Sequence, residues 1–288
     1  IELKMTENNN PLNKYFRQPA IYISLPSGAS YPPHVVTPTA TGEFAVMPMT
    51  ARDEIKFKTP DALMNGQGVV DVIQSCIPDI KDAWQVKSTD LDSILIAIRI
   101  ATYGETMDIT FDVPGIKEKA SHTLNLPALL DEIRNDKMQE TLTLKDGLEF
   151  TLNPLTYRDM TQASLQTFQQ QRIYSSVASS ELADEEKSKR FNESFRVLTE
   201  LNDKILQSNV NKIKTPEGTE TSDPAQIKEF FENANTAIVN ELQDKLEVIR
   251  KAGTVKPLKI KATDEQIKAG APATYEVPVT FDTANFFV

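Results

Sequence analysis

The chain has 288 residues, and its 31 basic against 41 acidic side chains give a net charge of −10 and a pI near 4.9. An acidic surface repels phosphate backbones and anionic lipid, which argues against nucleic acid or a membrane surface as partner; the same excess of acid also serves plain solubility. A single cysteine, Cys76, forms neither an internal disulfide nor a cysteine-based zinc site, and His34 and His122 have no other His or Cys at ligand spacing, so no metal site is expected beyond one built from carboxylates alone.

No apolar run approaches the ~20 residues that span a bilayer. The densest, Ile94–Ile98, is interrupted by Arg99, and residues 1–18 are polar, without a signal-peptide core. Synthesis and retention in cytoplasm is the expectation.

Eight of the 17 prolines fall within the first 60 residues, which forbids a long helix there. Residues 1–49 read as an extended arm with short strands at Ala20–Leu25 and Glu43–Met47. Thr50 is placed to cap a short helix to about Lys56, with Asp53 or Glu54 favouring its N-terminal dipole. Thr59-Pro60-Asp61 has the form of another helix start. Residues 67–77 predict a short helix stopped near Pro78. Ser88-Thr89 is expected to cap a stronger helix, Asp90–Tyr103, closed by Gly104 and apolar on both faces, as a buried helix is.

The middle of the chain reads as β. Met107–Asp112 and Ser121–Leu126 flank Pro114-Gly115; Gln139–Leu144 and Leu148–Leu152 flank Asp146-Gly147, a hairpin signal. Residues 155–215 and 225–252 contain neither glycine nor proline, which predicts helices over 156–179, 184–208 and 224–251. In the last, Ile227, Phe231, Ala234, Ile238, Leu242, Leu246 and Ile249 form a helical stripe, roughly 40 Å long at 1.5 Å per residue. Phe191, Phe195, Leu198 and Ile205 form another in the helix before it. Residues 215–223 read as a loop. Strands return at Val255–Ile260 and Tyr275–Phe281, and Asp282 stands before a short apolar turn.

The expected class is α+β: a small β-containing domain with a helical N-terminal part, a long-helix insertion and the proline-rich arm. The divisions are 1–49 (arm), 50–154 (α+β core), 155–253 (long-helix bundle) and 254–288 (return strands and tail).

No phosphate-binding, dinucleotide-binding, zinc-protease or serine-hydrolase signature is present. Gly66-Gln67-Gly68 opens a helix where a phosphate could bind, but without a lysine it reads as a helix–helix turn. Cys76 lies in the apolar run Val69–Ile77 and reads as a small buried thiol. His122 alternates with Leu124 and Leu126 on a strand and reads as a surface or satisfied histidine. Asp184-Glu185-Glu186 reads as a helix N-terminal charge cluster. A glycosidase needs two carboxylates at a fixed separation, which sequence does not reveal, and Trp84 is the one tryptophan for a sugar platform. No catalytic residue, cofactor or small-molecule substrate is assigned.

Three blocks are more specific: NPLNKYFRQPAIYISLPS at Asn10–Ser27; MPMTARDEIKFKTPDALMNG at Met47–Gly66, continued by VVDVIQSCIPDIKDAW at Val69–Trp84; and VTFDTANFFV at Val279–Val288. Together they resemble the baseplate hub subunit family of T-even-like contractile-tailed bacteriophages, over residues 10–112 and again at the C-terminal tail. The resemblance implies a non-enzymatic structural component of the tail baseplate, located in the virion and made in the host cytoplasm. Its implied partners are other tail or baseplate proteins, tape-measure or hub components, or copies of itself. The alternatives are an assembly chaperone absent from the mature virion and a tail-associated cell-wall hydrolase. Relatives often carry a Cys-Pro-x-Cys knuckle where this chain reads Val113-Pro114-Gly115-Ile116, and a second cysteine pair before the terminal block. Both pairs are absent, so Val113 and Ile116 are expected to hold the same β elements by apolar packing.

The candidate partner-binding residues are Tyr15, Phe16, Ile21, Tyr22 and Ile23 on the arm, and Phe286 and Phe287 at the end. Both termini have the alternative of folding back on their own domain. Arg52, Asp53, Asp61 and Asn65 are further candidates, with local helix capping as their other reading.

Overall fold

The structure is a computed structural model and describes residues 11–28, 30–58, 65–135, 141–251 and 254–279. The class is α+β, with apolar side chains gathered into two separate cores.

The first core is built around one helix. Strands β1 (Ile21–Ile23) and β2 (Phe44–Val46) pair antiparallel, Tyr22 opposite Ala45. Helix α1 (Ala51–Phe57) starts at a capping box: Thr50 accepts from the Asp53 amide while the Asp53 carboxylate accepts from the Thr50 amide. Helix α2 (Gln67–Cys76) follows, then α3 (Ser88–Tyr103). Eleven of the 16 residues of α3 are buried, from Thr89 to Ile100. Its N-terminus has no side-chain cap; instead the Ser88 amide donates to Leu155 O at 2.7 Å. A tertiary bond therefore does the work expected of Ser88-Thr89.

Strands β3 (Thr106–Asp112) and β4 (Lys119–Asn125) form the next hairpin, Met107 opposite Leu124. Helix α4 (Leu126–Asn135) follows at once, and its first turn is held by Asn125 Oδ1, which accepts from the Ala128 amide at 2.9 Å. The sequence reading had ended this segment in strand. The Asn125-Leu126-Pro127 run carried the missed signal, a cap followed by a proline in the first turn. Near the end of the described chain β9 (Leu258–Lys261), α9 (Asp264–Ala269) and β10 (Thr274–Val277) return to this core. Helix α9 was also unforeseen; Thr263 and Gln266 give it a capping box. Val113, Ala271, Tyr275 and Val277 are buried here, Ile116 packs against them, and the Phe111 and Tyr275 rings meet edge-on at 6.1 Å.

The second core starts at Leu142 and includes Leu144, Phe150, Leu206, Val210, Ile213, Ile227 and Leu242. Strands β5 (Thr141–Thr143), β6 (Glu149–Leu152), β7 (Val210–Lys214) and β8 (Glu220–Thr221) form an antiparallel sheet in that order. Helices α7 (Pro224–Asn233) and α8 (Thr236–Lys251) lie alongside these residues. Strand β7 falls between the helix expected over 184–208 and the loop expected over 215–223, where no element was expected. Val210 and Ile213, opposite Leu152 and Phe150, are both buried although three apart, because the pairing with β6 shifts register between Thr151 and Leu152. The single helix expected over 224–251 is two. Ala234 is extended (φ −67°, ψ 147°), and Asn235 Oδ1 accepts from the Ala237 amide to start α8.

Between the cores run α5 (Tyr157–Ala178) and α6 (Asp184–Ser208). Thr156 and Asp159 cap α5 reciprocally, and the acidic trio Asp184, Glu185 and Glu186 fills the first turn of α6. Asn153 N donates to Asn209 O at 2.7 Å at the base, and the Tyr174 and Phe191 rings meet at 4.6 Å towards the tip. The pair is an antiparallel hairpin.

The β3–β4 turn and the loop after α9 touch through backbone. A Cβ on Gly115 (φ +84°) would stand 2.8 Å from Gly270 O. Gly115→Ala is expected to destabilise the protein by about 2–4 kcal/mol, strain and clash together. Gly218→Ala (φ +89°, open space around it) carries strain alone, about 1–2 kcal/mol. Urea denaturation of the two variants measures the difference; equal losses would show that the Gly115–Gly270 contact yields freely.

Candidate interaction surfaces

The arm is fixed at its inner end by one guanidinium. Arg17 Nη1 donates to Pro48 O at 2.9 Å, and Nη2 donates to Ser75 O at 2.7 Å and Ser75 Oγ at 2.9 Å. Nη1 also stands 3.4 Å from Asp53 Oδ2. That carboxylate accepts from Thr50 N (2.9 Å), Thr50 Oγ1 (2.7 Å) and Ser75 Oγ (3.0 Å). Burial opposes the charge on Asp53, but the bonds from Thr50 and Ser75 and the Arg17 charge together outweigh it and hold the carboxyl below its usual range. The adjacent Cys76 thiol is pushed up to about 12 by burial, with Arg17 opposing, so it is protonated at neutral pH.

A second clamp holds the next stretch of the arm. Ser27 N and Oγ donate to the buried Asp90 carboxylate at 2.8 and 2.5 Å; Tyr31 OH donates to the same group and accepts from Lys87 N. Burial raises the Asp90 carboxyl, and the bonds from Ser27 and Tyr31 counter it.

These clamps sort the candidate residues. Tyr15, Phe16 and Tyr22 are exposed at 74%, 55% and 60%. Ile21 is half-buried, and Ile23 is fully buried in the first core. Asp53 is the buried cap of α1, Arg52 beside it faces solvent, and Asn65 Oδ1 accepts from Gln67 N at the start of α2. Asp61, Phe286 and Phe287, together with the helix start at Thr59-Pro60, lie outside the described residues. The structure thus joins Asp53 to Arg17 and Ser75, neither of which the sequence marked; Arg17 is one of many surface-type residues until the chain closes around it.

A shallow cavity of about 210 Å³ lies at the root of the α5–α6 hairpin, lined by Asn65, Trp84, Arg158, Thr161, Gln162 and Leu165. Trp84 stacks on Tyr157 (centroids 5.6 Å apart), and the Arg158 guanidinium lies 5.7 Å above the Trp84 ring. Gly66 closes one side: a Cβ there would stand 3.0 Å from Thr161 Cγ2 and 3.1 Å from Trp84. Its role is close helix–helix approach.

Phe195, expected in the stripe of α6, is 60% exposed, whereas Leu206, three turns on along nearly the same face, is buried, because the second core takes in only that end of α6. Phe168, Ile173 and Tyr174 on α5 are also exposed. Among the described residues no three His, Cys, Asp or Glu side chains cluster closely enough to hold a metal ion, and none of the described helices is long and apolar enough to cross a membrane.

The family model described as T4 bacteriophage base plate protein matches residues 31–270, most of the chain, with all of the second core and most of the first. The chain belongs to this family. It is a structural component of a phage baseplate, in the virion tail, where its contacts are with other tail or baseplate proteins. No curated protein and no solved structure matches it significantly. The baseplate match begins at Tyr31, in the second clamp, and takes in α1, α2 and the hairpin.

Asp53→Ala in this baseplate protein removes a cap and the Arg17 partner together, and about 2–4 kcal/mol of stability is expected to go with it at pH 7. The folded carboxyl lies below its unfolded value of about 4, so its contribution is complete above that value and fades as pH falls through the folded one. Denaturation at several pH values should show wild type and variant converging on the acid side; a gap independent of pH would remove the charge from the account.

Proposed function

We propose that this chain is a non-enzymatic hub subunit of a contractile-tail baseplate, retained in the finished particle by protein–protein contacts. The family match over residues 31–270 carries this reading. The exposed aromatics of a clamped arm support it, since Tyr15, Phe16 and Tyr22 stand on anchored backbone and lose little entropy on docking. We take the working division to be one unit of residues 11–135 with 254–279 and a second of residues 141–251, each around its own core. A second reading, an assembly chaperone that leaves the particle, is favoured by the little-buried α5–α6 hairpin, a surface suited to temporary clients.

Quantitative mass spectrometry of purified virions separates the two. Presence at a fixed ratio to other baseplate proteins is expected; presence in infected lysate with absence from intact particles would overturn the structural reading. Clearing of a peptidoglycan zymogram by the purified protein would overturn the non-enzymatic one.

The arm is tested by point changes. Deleting residues 10–25 would also remove Ile23 and Leu25 from the first core, and so confuse folding with docking. Tyr15→Ser, Phe16→Ser and Tyr22→Ser together should leave the fold intact and lower incorporation into particles at least about tenfold, as aromatic anchors at interface centres are worth about 2 kcal/mol or more each. Circular dichroism and virion immunoblots check the two halves; normal incorporation would remove the arm from the interface.

A further inference from the structure

We propose that the cavity at the root of the α5–α6 hairpin receives an aspartate or glutamate side chain of a neighbouring tail protein, paired to Arg158. The α5 residues that line it, Arg158, Thr161, Gln162 and Leu165, recur at three- and four-residue steps and so share one face of the helix. Asn65 and Trp84 complete the wall. The chain itself holds these walls in place. The Trp84 amide donates to Asp82 Oδ1 at 3.1 Å, at the start of the 3₁₀ turn Ala83–Gln85. The Tyr157 amide donates to Val86 O at 2.8 Å and ties the start of α5 to that turn. A wall fixed in this way has little freedom left to lose on docking.

Charge selects the occupant. Among the described residues Arg158 makes no ion pair and no hydrogen bond; it has only the Trp84 ring beneath it. The carboxylates nearest in sequence are taken: Asp159 accepts from Thr156 N and Oγ1, and Asp82 from Trp84 N and Gln85 Nε2. No acidic residue lines the cavity. A guanidinium offers its N–H donors in a planar fork that a carboxylate matches with paired, parallel bonds. Asn65, Thr161 and Gln162 stand around it with further donors. A cationic side chain would meet like charge, and a wholly apolar one would strip water from the guanidinium without replacing its bonds. Size selects the source. About 210 Å³ is less than the roughly 300–1,000 Å³ of small-molecule sites and leaves room for a single side chain. The Trp84 ring already carries Tyr157 and Arg158, which makes it a poor platform for a sugar. Trp, Tyr and Arg meeting at one spot are the side chains in which binding energy at protein interfaces concentrates.

Arg158→Glu should lower incorporation into particles at least about tenfold, while far-ultraviolet circular dichroism of the purified chain stays unchanged. Arg158→Lys keeps the charge and brings in a primary amine, which a carbodiimide joins to a carboxylate in direct contact. Cross-linking of infected lysate and of purified particles made with that variant should join the introduced amine to an aspartate or glutamate of another tail protein. Should Arg158→Glu unfold, this adduct decides. Normal incorporation of a folded Arg158→Glu chain would overturn the proposal, as would an adduct missing from both samples or confined to this chain. The pocket rests on the proposed place in the particle only for where it is filled: absence of the unaltered chain from particles would overturn retention, and the adduct in lysate would still support the pocket.

Discussion

From Leu91 to Ile100 helix α3 is apolar around almost its whole circumference, so no orientation leaves it a wet face. A helix of that kind has to be wrapped, and the elements around it follow from the need. Strands β1 and β2, helices α2 and α4, the β3–β4 hairpin and the returning strands β9 and β10 all contribute side chains to the core that encloses it. The dependence on distant segments explains why the arm, though rich in proline and short of regular structure, is an integral part of this unit. Ile23, Leu25, Val35 and Val36 are as buried as any helical residue.

Apolar wrapping alone is non-directional, and three carboxylates supply direction. Asp90 fixes the loop at Ser27 and Tyr31, Asp53 fixes Arg17 and the start of α1, and Asp92 accepts from the Val255 amide to place the returning C-terminal segment. Burial raises the carboxyls of Asp90 and Asp92, whereas the denser set of donors around Asp53 holds its carboxyl low. Groups of this kind add little net stability but penalise any other arrangement, because each would leave a buried carboxylate without donors. Tyr15, Phe16 and Tyr22, proposed above to dock on a partner, stand close in sequence to these pins.

The second unit has a different economy. Its small sheet and two helices are closed by nine buried residues, and the hairpin that leaves it adds length without much burial. Such a hairpin keeps its helical form through capping boxes, i,i+4 pairs such as Glu186–Arg190, and its tied base. Apolar side chains face water both here, at Phe168, Ile173, Tyr174 and Phe195, and on the arm, at Tyr15, Phe16 and Tyr22.

Much of the local structure was legible because it rests on local chemistry. The cap at Thr50, the glycine end of α3, the paired hairpin strands and the helical stretches without glycine or proline depend on residues within a few positions of one another. The α+β class followed from their order, and the resemblance of three sequence blocks pointed to the baseplate. Other features depend on residues far apart in the chain. Strand β7 exists because β6 is there to pair with it; the helix expected over 224–251 breaks at Ala234; Phe195 stays wet because the second core takes in only the Leu206 end of α6. The Arg17–Asp53–Ser75 clamp joins residues up to 58 positions apart, and no periodicity records such a meeting. Sequence alone determined the elements whose caps, glycine ends and hairpin partners lie close along the chain, since propensity and capping act over a turn or a pair. Tertiary structure alone decided which faces stay wet, since burial is set by what the rest of the chain brings alongside.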